Sequence, residues 1–211
     1  MKLIYFKQTM NHNFEIGYLS IILGPMWSGK TSKIVDLYKQ FSVFCNIKVL
    51  PINYSLDTRY GRECISTHDE RVINCKTAET LSSIADICNV GEQEVSLPDD
   101  FTEAKVILIN EGQFFSDIKE WVTCAVEKHN KHVYICGLDG DYKREKFGNL
   151  LDLIPLCDEV TKLKSICGHC KKAYAIFTHR HNTIEKDQVL IGLDEYLPLC
   201  RSCYNDKNSD A

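Results

Sequence analysis

Chemistry in this chain is concentrated in three places. The first is Gly24-Pro25-Met26-Trp27-Ser28-Gly29-Lys30-Thr31, which follows the pattern G-x-x-x-x-G-K-[ST]. Glycines at those positions let the backbone wrap, so that main-chain N–H groups and the positive end of a following helix surround phosphate oxygens. Lys30 then neutralises β- and γ-phosphate charge, and the Thr31 hydroxyl ligates Mg²⁺. The competing reading is a chance glycine-rich turn. Context disfavours it, because an apolar run of strand length, Tyr18 to Leu23, precedes the motif and a helical pattern follows.

The second place is Asn110-Glu111-Gly112-Gln113, which follows the apolar run Val106 to Ile109. In sheets of alternating strands and helices, ligands bind beyond the carboxyl ends of the strands. A carboxylate at that point can accept the proton of an attacking hydroxyl while cations hold the transferring phosphoryl group. Taken alone, a glutamate after a strand is more often solvated or a helix cap.

The third is the pair of knuckles Cys167-Gly-His-Cys170 and Cys200-Arg-Ser-Cys203. Each offers two thiolates from a tight turn, and together they complete a tetrahedral S₄ site that suits Zn²⁺ and leaves no open position for catalysis. A redox C-x-x-C is the rival reading, disfavoured because neither pair stands at a strand-to-helix junction. The metal is therefore read as structural, stapling a segment too poor in apolar residues to fold alone.

These groups need a scaffold. The 211 residues allow one domain with a small appendage, and 44% hydrophobic with 26% charged residues is the balance of a globular enzyme. A net charge of -4 gives no reason to expect binding to nucleic acid or a membrane. No apolar run approaches the ~20 residues that span a bilayer, and the first residues lack a hydrophobic signal region, so a cytoplasmic location is expected. Seven of the eleven cysteines are scattered as buried or surface thiols are.

Ile34, Leu37, Tyr38, Phe41 and Cys45 recur at helical spacing, with Lys33, Asp36 and Lys39 facing water. Ile47 to Ile52 reads as a parallel strand next to the first, with Pro51 near its end. Leu81, Ile84, Ala85 and Cys88 mark a helix. Lys105 to Asn110 and Val133 to Cys136 read as central strands buried on both faces, joined by a helix that Asp117 can cap. Strands alternating with helices imply an α/β sheet with right-handed crossovers. The character of the chain changes near Pro155. The expected organisation is an N-terminal extension over 1–15 with possible disorder, a nucleotide-binding domain over 16–155, and a cysteine-bearing domain over 156–211.

Taken together, Gly24 to Thr31, Asp57-Thr58-Arg59-Tyr60, Thr67-His-Asp69, Asn110 to Phe115, Leu138-Asp-Gly140 with Phe147-Gly148, and the two cysteine pairs resemble the cellular-type (type II) thymidine kinases in order and spacing. The resemblance implies a P-loop (RecA-like) parallel sheet flanked by helices, with a small C-terminal zinc-binding lasso domain. It implies transfer of the ATP γ-phosphate to the 5′-hydroxyl of thymidine, and of deoxyuridine, with Mg²⁺ and a structural Zn²⁺. Glu111 corresponds to the general base, and Lys30 and Arg59 to the cations on the transferring group. Asp57 and Thr58 belong with the nucleotide site. Phe114, Leu138, Tyr142 and Phe147 correspond to the walls of the thymine pocket, although each aromatic taken singly is more often core. Asp187, Gln188, Val189, Leu190, Ile191 and Gly192, with Tyr196, correspond to a late loop that covers the nucleoside. The family commonly forms homotetramers.

Three departures stand out. Asn110 replaces the family's usual Asp, which removes a carboxylate that orients Mg²⁺ through water. The resulting expectation is weaker Mg²⁺ use or slower turnover, with a catalytically weakened, nucleotide-binding regulatory module as the alternative. Trp27 replaces a usual Phe, and Ile191-Gly192 stands where two glycines are favoured.

Overall fold

Strands that are apolar on both faces must be covered on both faces, and the chain achieves this with one parallel sheet between helices. The computed structural model describes residues 14–56, 63–88, 96–181 and 195–208. β1 (Tyr18–Leu23) runs through the glycine-rich loop into α1 (Lys30–Tyr38), which widens into a π-helical stretch over Lys39–Phe44. β2 (Val49–Tyr54), the hairpin of β3 (Cys64–Ser66) and β4 (Val72–Asn74), and β5 (Lys76–Ala78) follow. Next come α2 (Asp99–Glu103), β6 (Val106–Ile109), α3 (Ile118–Glu127), β7 (His132–Gly137), a 3₁₀ segment over Leu150–Leu156, and β8 (Glu159–Lys162).

The sheet order is β5-β2-β6-β7-β1-β8, every pair parallel. This is the expected α/β P-loop arrangement, with β6 and β7 at its centre. Alternation along β1 sends Leu19, Ile21 and Leu23 to the face covered by α3, and Ile22 to the face covered by α1. All four residues of β6 are fully buried. Burial of each such side chain contributes roughly 1.5–3 kcal/mol. No helix among the described residues is long and apolar enough to cross a membrane.

Beyond the sheet, β9 (Ser165–Ile166) pairs with β10 (Tyr174–Ala175), and β11 (Phe177–Arg180) with β12 (Tyr196–Leu199), all antiparallel, before α4 (Arg201–Lys207). Cys167, Ala175, Leu199, Cys200 and Tyr204 form this unit's own small core.

Five expectations are corrected. β2 is parallel but is not a neighbour of β1, because β6 and β7 lie between them. Pro51 sits mid-strand. The Ile52 carbonyl accepts the Asn110 N–H from the β6 side, so alternation turns Pro51 toward β5, whose pairing begins only at Ile52. The helix expected over Leu81 to Cys88 is a single 3₁₀ turn, Leu81–Ser83. The segment after that turn is instead held by side chains of α3: Trp121 Nε1 donates to Ala85 O at 2.8 Å and Cys124 Sγ to Ile87 O at 3.2 Å. Asp117 precedes α3 but its carboxylate does not cap it. It accepts instead from the N–H groups of Leu81 and Ser82, at 3.0 and 2.9 Å. Finally, the sheet runs past Pro155, since β8 pairs with β1. Residues 1–13 of the expected extension lie outside the described residues. Phe14, where description begins, packs on His132 with ring centroids 4.4 Å apart.

Candidate active site

The phosphate loop needs backbone that most residues resist. Gly24 has φ 154° and Gly29 φ 85°, and a Cβ on Gly24 would stand 2.7 Å from Ser28 Oγ and 2.8 Å from Leu163 O. Trp27 also takes a left-handed φ of 63° and stacks on His68, ring centroids 3.9 Å apart. Lys30 opens α1 and is buried, its ammonium donating to Pro25 O at 2.8 Å. Ser28 Oγ is buried with no hydrogen-bond partner among the described residues. A lysine turned back onto the loop and an unmet hydroxyl fit a site made to receive phosphate oxygens.

At the end of β6, Asn110 is held from three sides. Its Nδ2 donates to Asn53 Oδ1 at 2.9 Å, while its Oδ1 accepts from Cys136 Sγ at 3.0 Å and faces the Thr31 hydroxyl at 3.5 Å. Burial, and then the charge of Glu111, push the Cys136 thiol up to about 12, so it stays a neutral donor. The loop and the strand end thus meet at Thr31 and Asn110.

Glu111 follows in a left-handed conformation, φ 55°. Gln113 donates to its Oε2 at 2.7 Å, and Gln113 Oε1 in turn accepts the Leu138 N–H at 3.0 Å. Gly148, at φ 59°, makes room for this: a Cβ there would fall 2.0 Å from Gln113 O. The glutamate is therefore oriented by a glutamine that is itself fixed at both ends of its amide.

Of the expected pocket walls, Phe114 stacks on Tyr54 at 5.0 Å and meets Phe147 edge-on at 5.4 Å. Leu138 joins them through Gln113. Tyr142 lies at the tip of a turn closed by a bridge between Gly140 and Lys146. Asp57, Thr58, Arg59 and the segment Asp187, Gln188, Val189, Leu190, Ile191, Gly192 lie outside the described residues. Tyr196 opens β12 directly across from Arg180.

The sulfurs of Cys167, Cys170, Cys200 and Cys203 all lie within 4.8 Å of one another. Tetrahedral zinc with Zn–S near 2.3 Å needs sulfurs about 3.8 Å apart, so this cluster fits the ion with little adjustment. The first knuckle is tight, with the Lys171 N–H returning to Cys167 O at 2.9 Å; the second, against expectation, does stand at a strand-to-helix junction, between β12 and α4, and it is the gathering of all four sulfurs that favours a metal over a redox pair.

Sequence reasoning missed several neighbours of the site. Asn53 and Tyr54 stand at the carboxyl end of β2, where the strand-end rule had a signal for them. Thr178 and Arg180 had none. They share one face of β11 by alternation, and Thr178 Oγ1 accepts the Met26 N–H at 3.1 Å.

Comparison with known proteins agrees with this geometry. The chain is 37% identical over 190 residues to a thymidine kinase of Oryza sativa, covering 90% of this chain and 67% of that one. It is 36% identical over 190 residues to the thymidine kinase of Variola virus, covering 90% and 98%. Against the cytosolic thymidine kinase of Homo sapiens it is 36% identical over 193 residues, covering 92% and 75%. Among solved structures, domain III of the Thermotoga maritima replication initiation protein DnaA overlaps 72% of this chain and 56% of that one at 14% identity and a TM-score of 0.39, too low to bear on the fold. The sequence profile described as thymidine kinase matches residues 17–204, from the start of β1 to α4, and the chain belongs to the thymidine kinase family.

Proposed function

We propose that this chain transfers the γ-phosphate of ATP to the 5′-hydroxyl of thymidine, giving dTMP for pyrimidine salvage and DNA synthesis. The observation that carries the reading is the convergence of Lys30, Thr31, Asn110 and Glu111 at one end of the sheet, with Thr31 and Asn110 facing each other at 3.5 Å. Phosphoryl transfer asks a protein for positioning and charge stabilisation more than for covalent chemistry. Gly24 to Thr31 would hold the triphosphate, with Lys30 leaving Pro25 O for phosphate oxygens. Glu111, its carboxylate steadied by Gln113, would accept the proton of the attacking 5′-oxygen. Arg59 would bind the transferring group through its forked donors, with Asp57, Thr58, Gly112 and Gln113 beside the nucleotide.

Mg²⁺ would supply positive charge to the phosphates, and the Thr31 hydroxyl, with the Asn110 amide oxygen that faces it, would hold the ion. Phe114, Leu138, Tyr142 and Phe147 would form a flat apolar slot for the pyrimidine, closed by residues 187 to 192 and Tyr196. Deoxyuridine is a second substrate, because one methyl contact discriminates by only about 1–3 kcal/mol. Zn²⁺ at the four cysteines would fix the unit from which the covering segment springs. Cytosolic relatives suit a cytoplasmic enzyme, and a homotetramer is the expected assembly.

The test is transfer of labelled phosphate from ATP to thymidine by the zinc-loaded protein. Formation of labelled dTMP supports the reading. ATP binding without transfer to any pyrimidine nucleoside overturns it in favour of a regulatory module.

A further inference from the structure

Tyr142 lies in the sheet-bearing part of the chain, yet the cysteine-bearing unit grips it from two directions. The guanidinium of Arg180, a residue only 2% exposed, lies over the ring with its carbon 3.8 Å from the centroid. The hydroxyl of buried Tyr204 donates to the Tyr142 carbonyl at 2.5 Å. Arg180 ends β11, and Tyr204 directly follows Cys203 in α4. The turn that carries Tyr142 is shaped from within, because the Asp141 carboxylate accepts the N–H groups of Lys143 and Glu145 at 2.8 and 2.9 Å. Contacts from outside, these two together with Arg144 against the rings of Tyr204 and Phe177 at 4.6 and 5.4 Å, therefore decide where the turn sits, not what shape it has. Both are strong of their kind: a cation against a ring gains when both are desolvated, and a buried hydroxyl without an acceptor is costly.

We infer that Arg180 and Tyr204 are positioning residues for nucleoside binding, clamping Tyr142 at ring face and carbonyl so that this contact sets the affinity for the nucleoside but not for ATP. This rests on the reading that Tyr142 walls the nucleoside pocket. Arg180 and Tyr204 act through Tyr142, so the signature of the clamp is a change in KM for one substrate.

The experiment is steady-state kinetics on the zinc-loaded wild type and on Tyr204→Phe, Arg180→Met and Arg180→Lys, with zinc content and thermal midpoint measured on each. Tyr204→Phe and Arg180→Met are expected to raise KM for thymidine about tenfold, the effect of one buried hydrogen bond or its equivalent. Arg180→Lys recovers part of the loss, KM for ATP stays within about twofold, and zinc stays at the wild-type level. Unchanged thymidine KM in both variants overturns the inference, as does a joint rise for both substrates. Should Arg180→Met fail to fold, Tyr204→Phe, which removes one oxygen, decides alone. A wild type that neither binds nor phosphorylates thymidine sinks the functional reading and the clamp with it; an active wild type matched by its variants sinks only the clamp.

Discussion

Asn110 and Asn53 meet amide to amide at the carboxyl edge of the sheet, the Nδ2 of the first 2.9 Å from the Oδ1 of the second. That bond turns the Asn110 oxygen toward the phosphate loop, where Thr31 and Cys136 face it. An aspartate at 110 would place an oxygen where Nδ2 now donates. Asn53 would answer by rotating its amide, giving up only a 3.5 Å contact to Cys64 O. Asn110→Asp should therefore fold normally and raise activity at low Mg²⁺, because a carboxylate adds the Coulomb attraction that an amide lacks. Superimposable rates for the two proteins across a Mg²⁺ titration would refute this.

Glu111→Gln keeps the shape of the side chain and removes its basicity. We expect kcat to fall about 10²- to 10⁴-fold with both KM values little changed. Gln113→Ala, which frees the Glu111 carboxylate without removing it, should give a smaller loss in kcat. Equal losses for the two variants would show that Glu111 acts only through its place in the hydrogen-bond chain.

Metal removal should reach further than the clamp. Cys200→Ser, or a strong chelator, breaks a closed four-sulfur site whose binding energy is folding energy for the small unit. That unit touches Tyr142 and also the phosphate loop, through Thr178 and through Ser165, whose Oγ donates to Trp27 O at 3.0 Å. Zinc content titrated against turnover should show KM for ATP and for thymidine rising together as metal is lost. Full activity in zinc-free protein would contradict this.

Lys131 is the reverse case, a residue for stability without chemistry. Its buried ammonium donates to the carbonyls of Phe101, Thr102 and Ala104 at 2.7, 3.2 and 2.6 Å, at the end of the sheet opposite the active site. Lys131→Met leaves all three acceptors without that donor and should cost roughly 2 kcal/mol or more. Denaturant midpoints should fall while both KM values hold.

His179 gives a pH dependence. Burial first, then the nearby charges of His181 and Lys207, lower its pKa below the ordinary value. The folded state then binds fewer protons than the unfolded one below about 6.5, so stability present above that pH is lost as pH falls toward the folded pKa. Thermal midpoints of the zinc-loaded protein should drop on mild acidification less steeply in His179→Gln than in wild type. The cysteine cluster is the same in both proteins, so parallel curves would exclude His179 as the source.

Local pattern carried most of what the sequence revealed. The phosphate loop was legible because its glycines, lysine and flanking strand and helix are contiguous, and the cysteine knuckles because each pair is a tight turn. The neighbours of β2 were not, since strand order is decided by packing between distant segments. Leu81 to Cys88 has helical spacing, but the chain after its single turn is tied to Trp121 and Cys124 of another element, which no local pattern can announce. Arg180 was invisible for the same reason: an arginine in a polar stretch reads as surface until Tyr142 is seen beneath it.

The hydrogen bond from the Met26 N–H to Thr178 joins positions 152 residues apart, and it bears on how such an enzyme can be recombined. A segment ending at β8 would carry the whole glycine-rich motif yet lack one of its braces, so the motif is not a transplantable cassette. Chimeras between relatives should tolerate exchange of an internal segment such as the β3–β4 hairpin, which leaves the loop and the hairpin β11–β12 from one parent, far better than a single crossover that parts them.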